Sequence, residues 1–547
     1  MNITWLDINS SWSHSSLAIP ALNIQLDNTL KDCCNFTIIS GTTKSSQTQI
    51  IQQIIDSKPE YIFSTAWLFN IDYIKCILSK ISNILSLKGV FLGGPEFLGN
   101  NKNFLESNKY ITAVFKGEGE EMYNTFIKSL LEGDNNWMDI KGFEYIYNKE
   151  YQISTPYYIK SFLNLKFPED SEYFNWNKSF VQLETSRGCF NSCKFCISGI
   201  DKSKVQNLPI EVIKHRIDNI LAHNIHQIRI LDRTFNANPT RATQMLNLFK
   251  QYAGQVKFHL EIHPALLKSP FKEALSTLPD NLIHVEAGMQ TLQQTVLDAC
   301  DRKGTCSDAL DGLTYLIDLK KFEVHADLIS GLPKYTYIQL LNDVFKLIKI
   351  KPAEIQLETL KLLPGTYFRN MSQQLNIKYS PLPPYEVLQT DSMSYRDINK
   401  SLVLSKILDY WYNDFRWQEV FVRIFSNKVE DLINFVEYLD SQVTDFMIQP
   451  LSFENKGILL YRYCKEFHSD FIKNISLEWV KNGLSLKKEP AENVILWDFK
   501  SEICNPILNK NNVRDKYFFL EVEGVIHWFA FNKEINRTTP YNYIQIS

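Results

Sequence analysis

Residues 187–199 read RGCFNSCKFCISG and hold three of the ten cysteines of the chain. Cys189, Cys193 and Cys196 follow a C-x3-C-x2-C spacing on the loop after a strand candidate. Three thiolates so close on one loop can converge on a single iron–sulfur cluster. Three ligands on a four-iron cube leave one iron open, and an open metal position can bind a chelating substrate. The stretch therefore predicts a 4Fe–4S cluster with one vacant coordination site.

A zinc knuckle and three unrelated thiols are the alternatives for the same cysteines. Zinc needs a fourth ligand, which His215 or His223 could supply, but the spacing fits no common zinc finger. Cys300 and Cys306 lie in the stretch DACDRKGTC, and two thiols are too few to hold a second cluster. We therefore expect one cluster.

The composition is that of a globular chain. The 547 residues include 58 basic and 61 acidic side chains, a formal charge of −3, and 44% of the residues are hydrophobic. The length corresponds to about three to four domains. The near-neutral charge gives no electrostatic reason to bind nucleic acid or an anionic membrane surface, so we expect neither as a partner.

The sequence shows no membrane-spanning or secretory segment. No uninterrupted apolar run approaches the roughly 20 residues that span a bilayer. Met1–Ser16 lacks the basic n-region and the apolar h-region of a secretory signal. We therefore expect a cytoplasmic protein whose cysteines are reduced or bound to metal rather than paired in disulfides.

Short β-type runs alternate with helical stretches over residues 1–140. The alternation predicts a doubly wound parallel sheet, which is a Rossmann-like (flavodoxin-like) α/β domain. Ligands of such sheets bind beyond the carboxyl ends of the strands. The segments there are rich in Ser, Gly and Glu, which suits a ligand-binding rim and ordinary βα loops equally well. They span Asn9–Ser16, Ser64–Asn70, Gly93–Phe97 and Lys116–Glu121.

A second alternating region follows a connecting segment at 141–178. Six βα units over residues 179–370 predict a partial (βα)6 TIM-like barrel, with its chemistry at the strand carboxyl ends. Residues 371–547 predict a mainly α-helical C-terminal domain with a late β-like stretch, and they contain no motif of readable chemistry. The barrel strand candidates are Val181–Thr185, Gln227–Leu231, Val256–Ile262, Ile283–Gly288, Glu323–Leu328 and Glu354–Leu360.

The cysteine loop and the segments behind it resemble the radical S-adenosylmethionine (SAM) superfamily. The resemblance implies that the three cysteines hold a 4Fe–4S cluster, whose fourth iron is chelated by SAM. One electron then cleaves the sulfonium and yields a 5′-deoxyadenosyl radical. The segments LDRTFNANPTRA, FHLEIHP and VEAGMQT match later strand ends of the superfamily, and Phe195 matches its aromatic position before the last cysteine. The SAM-binding residues so implied are Phe195, Asp232, Glu261 and Gln290.

The N-terminal domain resembles the cobalamin-binding domain of one subgroup of this superfamily. SWSHSSLAIPAL (11–22), FLGGPEF (91–97) and FKGEGEE (115–121) resemble its βα junctions. The D-x-H-x-x-G signature that supplies a histidine to cobalt in many corrinoid proteins is absent, and we expect no histidine on cobalt. The resemblance leaves open whether the domain binds cobalamin. The cobalamin-binding residues it implies are Ser13, His14, Ser64, Thr65, Gly93, Gly94, Glu96, Gly117 and Glu118.

The whole chain is similar to a bacterial group that joins these two domains to a C-terminal helical domain of unknown function. The resemblance implies a cobalamin-dependent radical SAM enzyme, and the leading hypothesis is that it transfers a methyl group to an unactivated carbon. One alternative is a radical enzyme of rearrangement, cyclisation or oxidation; another is a non-enzymatic corrinoid- or cluster-binding sensor. The expected partners are an electron donor such as flavodoxin or ferredoxin and an unknown substrate, which could be a small molecule, a lipid or a peptide.

Overall fold

The computed structural model describes residues 1–14, 16–200, 204–442, 446–447, 449–498, 516–531 and 541–546. The chain divides into two compact units. The first comprises Met1–Val324, Gly331–Tyr335 and Thr359–Ser394. The second comprises His325–Ser330, Thr336–Glu358 and Tyr395–Ser547.

A seven-stranded sheet forms the N-terminal part of the first unit. Its strands are β1 (Asn2–Asn9), β2 (Asn35–Thr42), β3 (Tyr61–Thr65), β4 (Gly89–Gly93), β5 (Ala113–Phe115), β6 (Phe143–Tyr147) and β7 (Glu150–Gln152). They lie in the order β2-β1-β3-β4-β5-β6-β7, and the first five are parallel. The order 2-1-3-4-5 is that of a flavodoxin-like sheet, so the predicted fold class of this region is confirmed.

Helices cover both faces of this sheet because successive strand side chains point to opposite sides. One face buries Leu6, Ile62 and Leu92, whereas the other buries an aromatic set that includes Trp5 and Phe63. The helices are α1 (Ala18–Asn23), α2 (Asn28–Asp32), α3 (Gln47–Asp56), α4 (Ile71–Ile81), α5 (Lys102–Ser107) and α6 (Tyr123–Glu132).

The range 141–178 is more structured than a connecting segment. Strands β6 and β7 lie within it and extend the N-terminal sheet in antiparallel register. Buried Phe143 packs on the aromatic face, with its ring centroid 4.8 Å from that of Phe126. The N-terminal sheet therefore continues to Gln152, beyond the boundary at 140. The predicted domain boundaries otherwise stay predictions.

The barrel strands follow in the predicted places. In the first unit they are β8 (Val181–Leu183), β11 (Gln227–Ile230), β12 (Lys257–Ile262) and β13 (Ile283–Gln290), with a short antiparallel pair β9 (Ser186–Arg187) and β10 (Gln206–Asn207). The four longer strands pair in parallel in chain order. The helices are α7 (Ile210–Ala222), α8 (Pro239–Phe249), α9 (Ser269–Ser276), α10 (Gln294–Ala299) and α11 (Cys306–Asp318).

These four strands have one apolar and one polar face. Fully buried apolar side chains alternate with half-buried polar ones along β12 and β13. Because helices cover the outside of such a barrel, the polar set faces its interior. The set includes Arg229, His259, Glu261, His284 and Glu286. The interior is therefore charged rather than filled by the branched apolar side chains usual in a closed barrel.

The fifth and sixth predicted strands are β14 (Glu323–Ser330) and β15 (Glu354–Thr359), with α12 (Tyr337–Ile350) between them. Three short elements belong to the first unit, namely α13 (Tyr367–Asn370), β16 (Lys378–Tyr379) and β17 (Val387–Gln389). No helix among the described residues is both long and apolar enough to cross a bilayer.

The C-terminal region of the second unit is helical, as predicted. Its helices are α14 (Tyr395–Ile407), α15 (Phe415–Phe425), α16 (Val429–Gln442), α17 (Phe453–Phe467) and α18 (Ile472–Lys481). A four-stranded antiparallel sheet follows, formed by β18 (Ile495–Leu496), β19 (Lys516–Val522), β20 (Val525–Phe531) and β21 (Tyr541–Ile546). The predicted late β-like stretch is thus confirmed.

Candidate active site

The three clustered cysteines lie on the loop that follows β8 and β9. Cys193 is 5% exposed, whereas Cys189 and Cys196 are half-buried. Burial raises the pKa of the Cys193 thiol; the Arg302 guanidinium opposes the shift, and the neighbouring Cys196 and Cys189 thiols add to it. The three thiols are therefore close enough to interact electrostatically.

The donor set of this loop fits an iron–sulfur cube better than a single metal ion. Within the described ranges, no three His, Cys, Asp or Glu side chains are grouped so as to hold one metal ion. Thiolates that ligate a cube bind separate irons and do not meet at one atom. Three thiols on a short loop beside a guanidinium match that requirement.

The Asp232 side chain is hydrogen-bonded to the residues that precede the cysteine loop. Its Oδ1 accepts hydrogen bonds from the backbone N–H of Thr185 (2.9 Å) and of Ser186 (2.8 Å), and its Oδ2 accepts one from Thr185 Oγ1 (2.5 Å). Asp232 is 4% exposed, and burial raises its pKa against the effect of these bonds. Both carboxylate oxygens thus fix the chain four residues before Cys189.

Residues 299–303 form a strap across the cysteine loop. The backbone N–H of Lys194 donates to Cys300 O (3.0 Å), and Lys194 Nζ donates to Ala299 O (3.2 Å). Ser192 Oγ donates to Asp301 Oδ2 at 3.0 Å. Arg302 completes the contact, because its Nη1 lies 3.8 Å from Cys193 Sγ and its Nη2 donates to Gly288 O at 2.6 Å.

Glu261 and Gln290 lie at the carboxyl ends of their strands, as predicted. Burial raises the pKa of Glu261, Arg233 lowers it, and Glu286, its partner in register on β13, raises it further. Gln290 adopts a left-handed backbone (φ 66°), and a Cβ built on Gly288 would come within 2.7 Å of its Nε2. Such backbone strain in a non-glycine residue is frequent at functional sites. Phe195 is half-buried on the cysteine loop.

A cavity of about 460 Å³ lies at the carboxyl ends of the N-terminal strands and extends to the cysteine loop. We call it the N-terminal cavity. Its aromatic wall includes Trp5, Phe63 and Phe91. Arg187, Ile197 and Arg233 line it from the barrel side. Six predicted cobalamin-binding residues line it as well, namely Ser64, Thr65, Gly93, Gly94, Gly117 and Glu118.

The glycines at this rim have different structural roles. Gly94 has φ 105°, and a Cβ there would come within 2.5 Å of Ala66 O. Gly117 has φ 109°, and a Cβ there would clash with the Tyr157 backbone. A Cβ on Gly93 would meet no atom within 4 Å. Gly94 and Gly117 therefore serve the fold, whereas Gly93 leaves space next to the cavity.

Arg187 lies close to three carboxylates at the mouth of the cavity. Its Nη1 lies 2.9 Å from Glu120 Oε1 and 3.7 Å from Glu118 Oε1, and its Nε and Nη2 donate to Glu184 at 2.9 Å and 2.6 Å. Burial raises the pKa of Glu118 to about 7, and Arg187 and the Ile159 backbone N–H oppose that shift. Arg187 was not among the predicted site residues, although it directly precedes Gly188 and Cys189 in the sequence.

Ser13, His14 and Glu96 do not line the N-terminal cavity. His14 Nδ1 lies within hydrogen-bond distance of Ser11 Oγ (2.8 Å) and Ser13 Oγ (3.2 Å), and burial lowers its pKa. Glu96 is buried and accepts a hydrogen bond from Tyr385 Oη. The Arg369 guanidinium packs over the ring of Tyr385, 4.2 Å from its centroid. These side chains are engaged within the protein.

Two family models match the chain. The model of the Radical SAM superfamily matches residues 183–347, and that of a protein family of unknown function, DUF4080, matches residues 373–499. Membership of the radical SAM superfamily implies a 4Fe–4S cluster and SAM as cofactors. The first match begins at the end of β8 and contains the whole cysteine loop.

One curated relative is the cobalamin-dependent radical SAM methyltransferase TokK of Streptomyces tokunonensis. It is 21% identical over 340 residues, which cover 58% of this chain and 49% of TokK. The chain thus matches about half the length of this relative.

Two solved structures have the same fold. The cobalamin-dependent SAM radical enzyme OxsB, with aqua-cobalamin and SAM bound, has a TM-score of 0.59 and 15% identity over 87% of this chain and 80% of its own. The radical SAM methyltransferase TsrM from Kitasatospora setae, with cobalamin and a [4Fe-4S] cluster bound, has a TM-score of 0.52 and 15% identity over 69% and 76%. The chain therefore carries a radical SAM domain and a C-terminal DUF4080 domain, and it is similar in sequence to the methyltransferase TokK and in fold to OxsB and TsrM.

Proposed function

We propose that the protein is a cobalamin-dependent radical SAM methyltransferase. The main support for the proposal is that the N-terminal cavity is lined by residues of both the N-terminal sheet and the cysteine loop. Gly93 and Gly94 line it from the flavodoxin-like sheet, and Arg187 and Ile197 line it from the cysteine loop. A cofactor in this cavity would lie between the two parts of the first unit. TokK, OxsB and TsrM are named as cobalamin-dependent or cobalamin-bound, which supports the same cofactor here.

The residues of the cysteine loop have separate roles in this proposal. Cys189, Cys193 and Cys196 hold the cluster, and Phe195, Glu261 and Gln290 surround SAM. Asp232, which we predicted at SAM, positions the loop instead, because its two oxygens are bound to Thr185 and Ser186. When bound, the cluster supplies the electron that cleaves SAM, and cobalamin carries the methyl group.

The residues of the N-terminal cavity receive cobalamin in this proposal. Its aromatic wall excludes water, and Gly93 leaves room for a bulky group. Ser64, Thr65 and Glu118 supply polar groups that orient the ligand. His14 does not line the cavity, and no histidine is found among its described lining residues. That cobalt has no histidine ligand stays a prediction.

The substrate is a molecule with an unactivated carbon, and the chain needs a one-electron donor of the flavodoxin or ferredoxin type. A cytoplasmic location stays a prediction.

The test uses the full chain, purified without oxygen and loaded with iron and sulfide. We expect bound corrinoid by absorbance, 5′-deoxyadenosine on reduction with SAM, and about one S-adenosylhomocysteine per corrinoid in a single turnover. Cys193→Ala should abolish 5′-deoxyadenosine formation, whereas Cys306→Ala, a half-buried thiol outside the trio, should retain it. Deoxyadenosine without corrinoid or S-adenosylhomocysteine would refute methyl transfer.

A further inference from the structure

The strap at 299–303 makes different contacts with the three cysteines. Cys193 is the buried thiol of the three and the one that a guanidinium contacts. Cys189 Sγ has a hydroxyl neighbour instead, Thr234 Oγ1 at 3.9 Å. The charge of Arg302 is therefore directed at one ligand position.

The position of Arg302 is fixed on both sides. Its Nη2 donates to Gly288 O at 2.6 Å, which holds the guanidinium plane against β13. A Cβ built on Gly288 would lie 3.4 Å from Nη2, which is an ordinary van der Waals distance, so the guanidinium packs directly against this residue. The remaining Nη1 is then aimed at Cys193 Sγ, 3.8 Å away. A guanidinium cannot lose its charge in a protein, so this donor is permanently cationic.

We propose that Arg302 is a positioning residue that sets the reduction potential of the cluster through a charge-assisted N–H···S hydrogen bond to Cys193. The inference rests on the proposed function, because it requires the cluster. Reduction adds one electron and hence one negative charge to the cluster and its thiolates. A fixed cation that donates to a ligating sulfur stabilises the reduced state more than the oxidised state. Arg302 therefore makes the cluster easier to reduce.

The adjacent Lys303 provides a matched control. It carries the same charge, but its Nζ donates to the backbone carbonyl of Phe190 at 3.1 Å, and its side chain is exposed. Water and salt screen an exposed charge strongly, so its removal tests the general electrostatic effect without the sulfur contact.

The experiment is a redox titration of the loaded full-length protein, followed by the electron paramagnetic resonance signal of the reduced cluster, with iron content measured in parallel. Arg302→Gln should lower the equilibrium constant for reduction about tenfold, which is about 59 mV for one electron. Arg302→Lys should stay within about threefold of the wild type, and Lys303→Gln within about twofold.

Three results would overturn the proposal. The first is an unchanged potential in loaded Arg302→Gln, and the second is an equal shift in Lys303→Gln. If Arg302→Gln binds no iron, its potential cannot be measured, and Arg302→Lys becomes the test. The third result that would overturn the proposal is an Arg302→Lys variant that restores neither the iron content nor the reduction potential. A wild-type protein without a reducible 4Fe–4S signal would instead refute the proposed function itself.

Discussion

Arg187 and Glu184 are joined by two parallel hydrogen bonds, from Nε at 2.9 Å and from Nη2 at 2.6 Å. This two-pronged geometry is the strong form of the arginine–carboxylate pair. Arg187 also contacts Glu120, which belongs to the N-terminal part of the unit. One side chain thus connects the start of the cysteine loop to the rim of the N-terminal cavity.

Replacing Arg187 by Gln should lower the free energy of unfolding by about 2–3 kcal/mol. The reason is that three partly buried carboxylates lose their common cation. Arg187→Lys should recover part of the loss, because an ammonium retains the charge but not the paired hydrogen bonds. Urea denaturation measures the effect. Lys214→Gln, which removes an exposed ion pair with Asp218, is the control and should cost under about 0.5 kcal/mol. Equal stability of the two variants would contradict this account.

Asp232→Asn should lower the free energy of unfolding by about 2–4 kcal/mol and reduce iron incorporation. The amide oxygen of Asn can still accept from the backbone N–H groups of Thr185 and Ser186, but its N–H2 then faces Thr185 Oγ1, which loses its carboxylate acceptor and already accepts from Arg241 Nη2 at 3.1 Å. Denaturation of the iron-free protein and iron analysis after loading measure the two effects. Asp280→Asn, at a largely exposed carboxylate, should change neither. An Asn variant that matches the wild type in both would show that Asp232 does not position the loop.

Because of Glu118, the free energy of unfolding should fall as the pH rises. The pKa of Glu118 in the folded protein is raised to about 7, so the folded state binds more protons than the unfolded state between about pH 4.5 and 7. Its side chain is 26% exposed, and we expect a loss of at most about 2 kcal/mol across that window. Glu118→Gln should remove this component, which urea titrations at pH 5 and pH 8 measure. Parallel pH profiles of wild type and variant would contradict the prediction.

Substitutions at Gly93 and Gly94 should separate cofactor binding from folding. Gly93→Val places its side chain in open space next to the cavity, so we expect a change in stability under about 0.5 kcal/mol but at least fivefold less corrinoid after purification. Gly94→Ala should destabilise the fold by about 1–3 kcal/mol, because the residue has φ 105° and its Cβ would press on Ala66 O. Full corrinoid content in a folded Gly93→Val protein would place the ligand elsewhere.

The sequence predicted the sheet strands well because their signal is local. The central strands β3 and β4 are short, mostly apolar runs, and residues at their carboxyl ends, such as Ser64 and Gly93, line the cavity. Glu96 was harder, because Pro95 begins a short 3-10 helix and the side chain meets Tyr385, 289 residues later in the chain. The hydrophobic periodicity of a sequence carries no information about such a long-range contact.

Arg302 shows the same limit at the cysteine loop. The stretch DACDRKGTC was noted in the sequence for its two cysteines. Its contribution to the site is instead the contact between Arg302 and Cys193, which are 109 residues apart and could not be paired from sequence. Asp232 was predicted as a SAM-binding residue, and its hydrogen bonds to Thr185 and Ser186 were not predicted, because buried hydrogen bonding depends on side-chain direction. Strand ends can thus be located from sequence, and the pairing of polar groups there cannot.

The hairpin formed by β6 and β7 decides how the N-terminal sheet terminates. Without it, β5 would present its unpaired backbone groups to other molecules, which is a template for self-association. Instead, the strand at this edge of the sheet is β7 (Glu150–Gln152), which is only three residues long and carries a carboxylate. A protein trimmed at residue 140 would lose this protection, and we expect it to aggregate during expression.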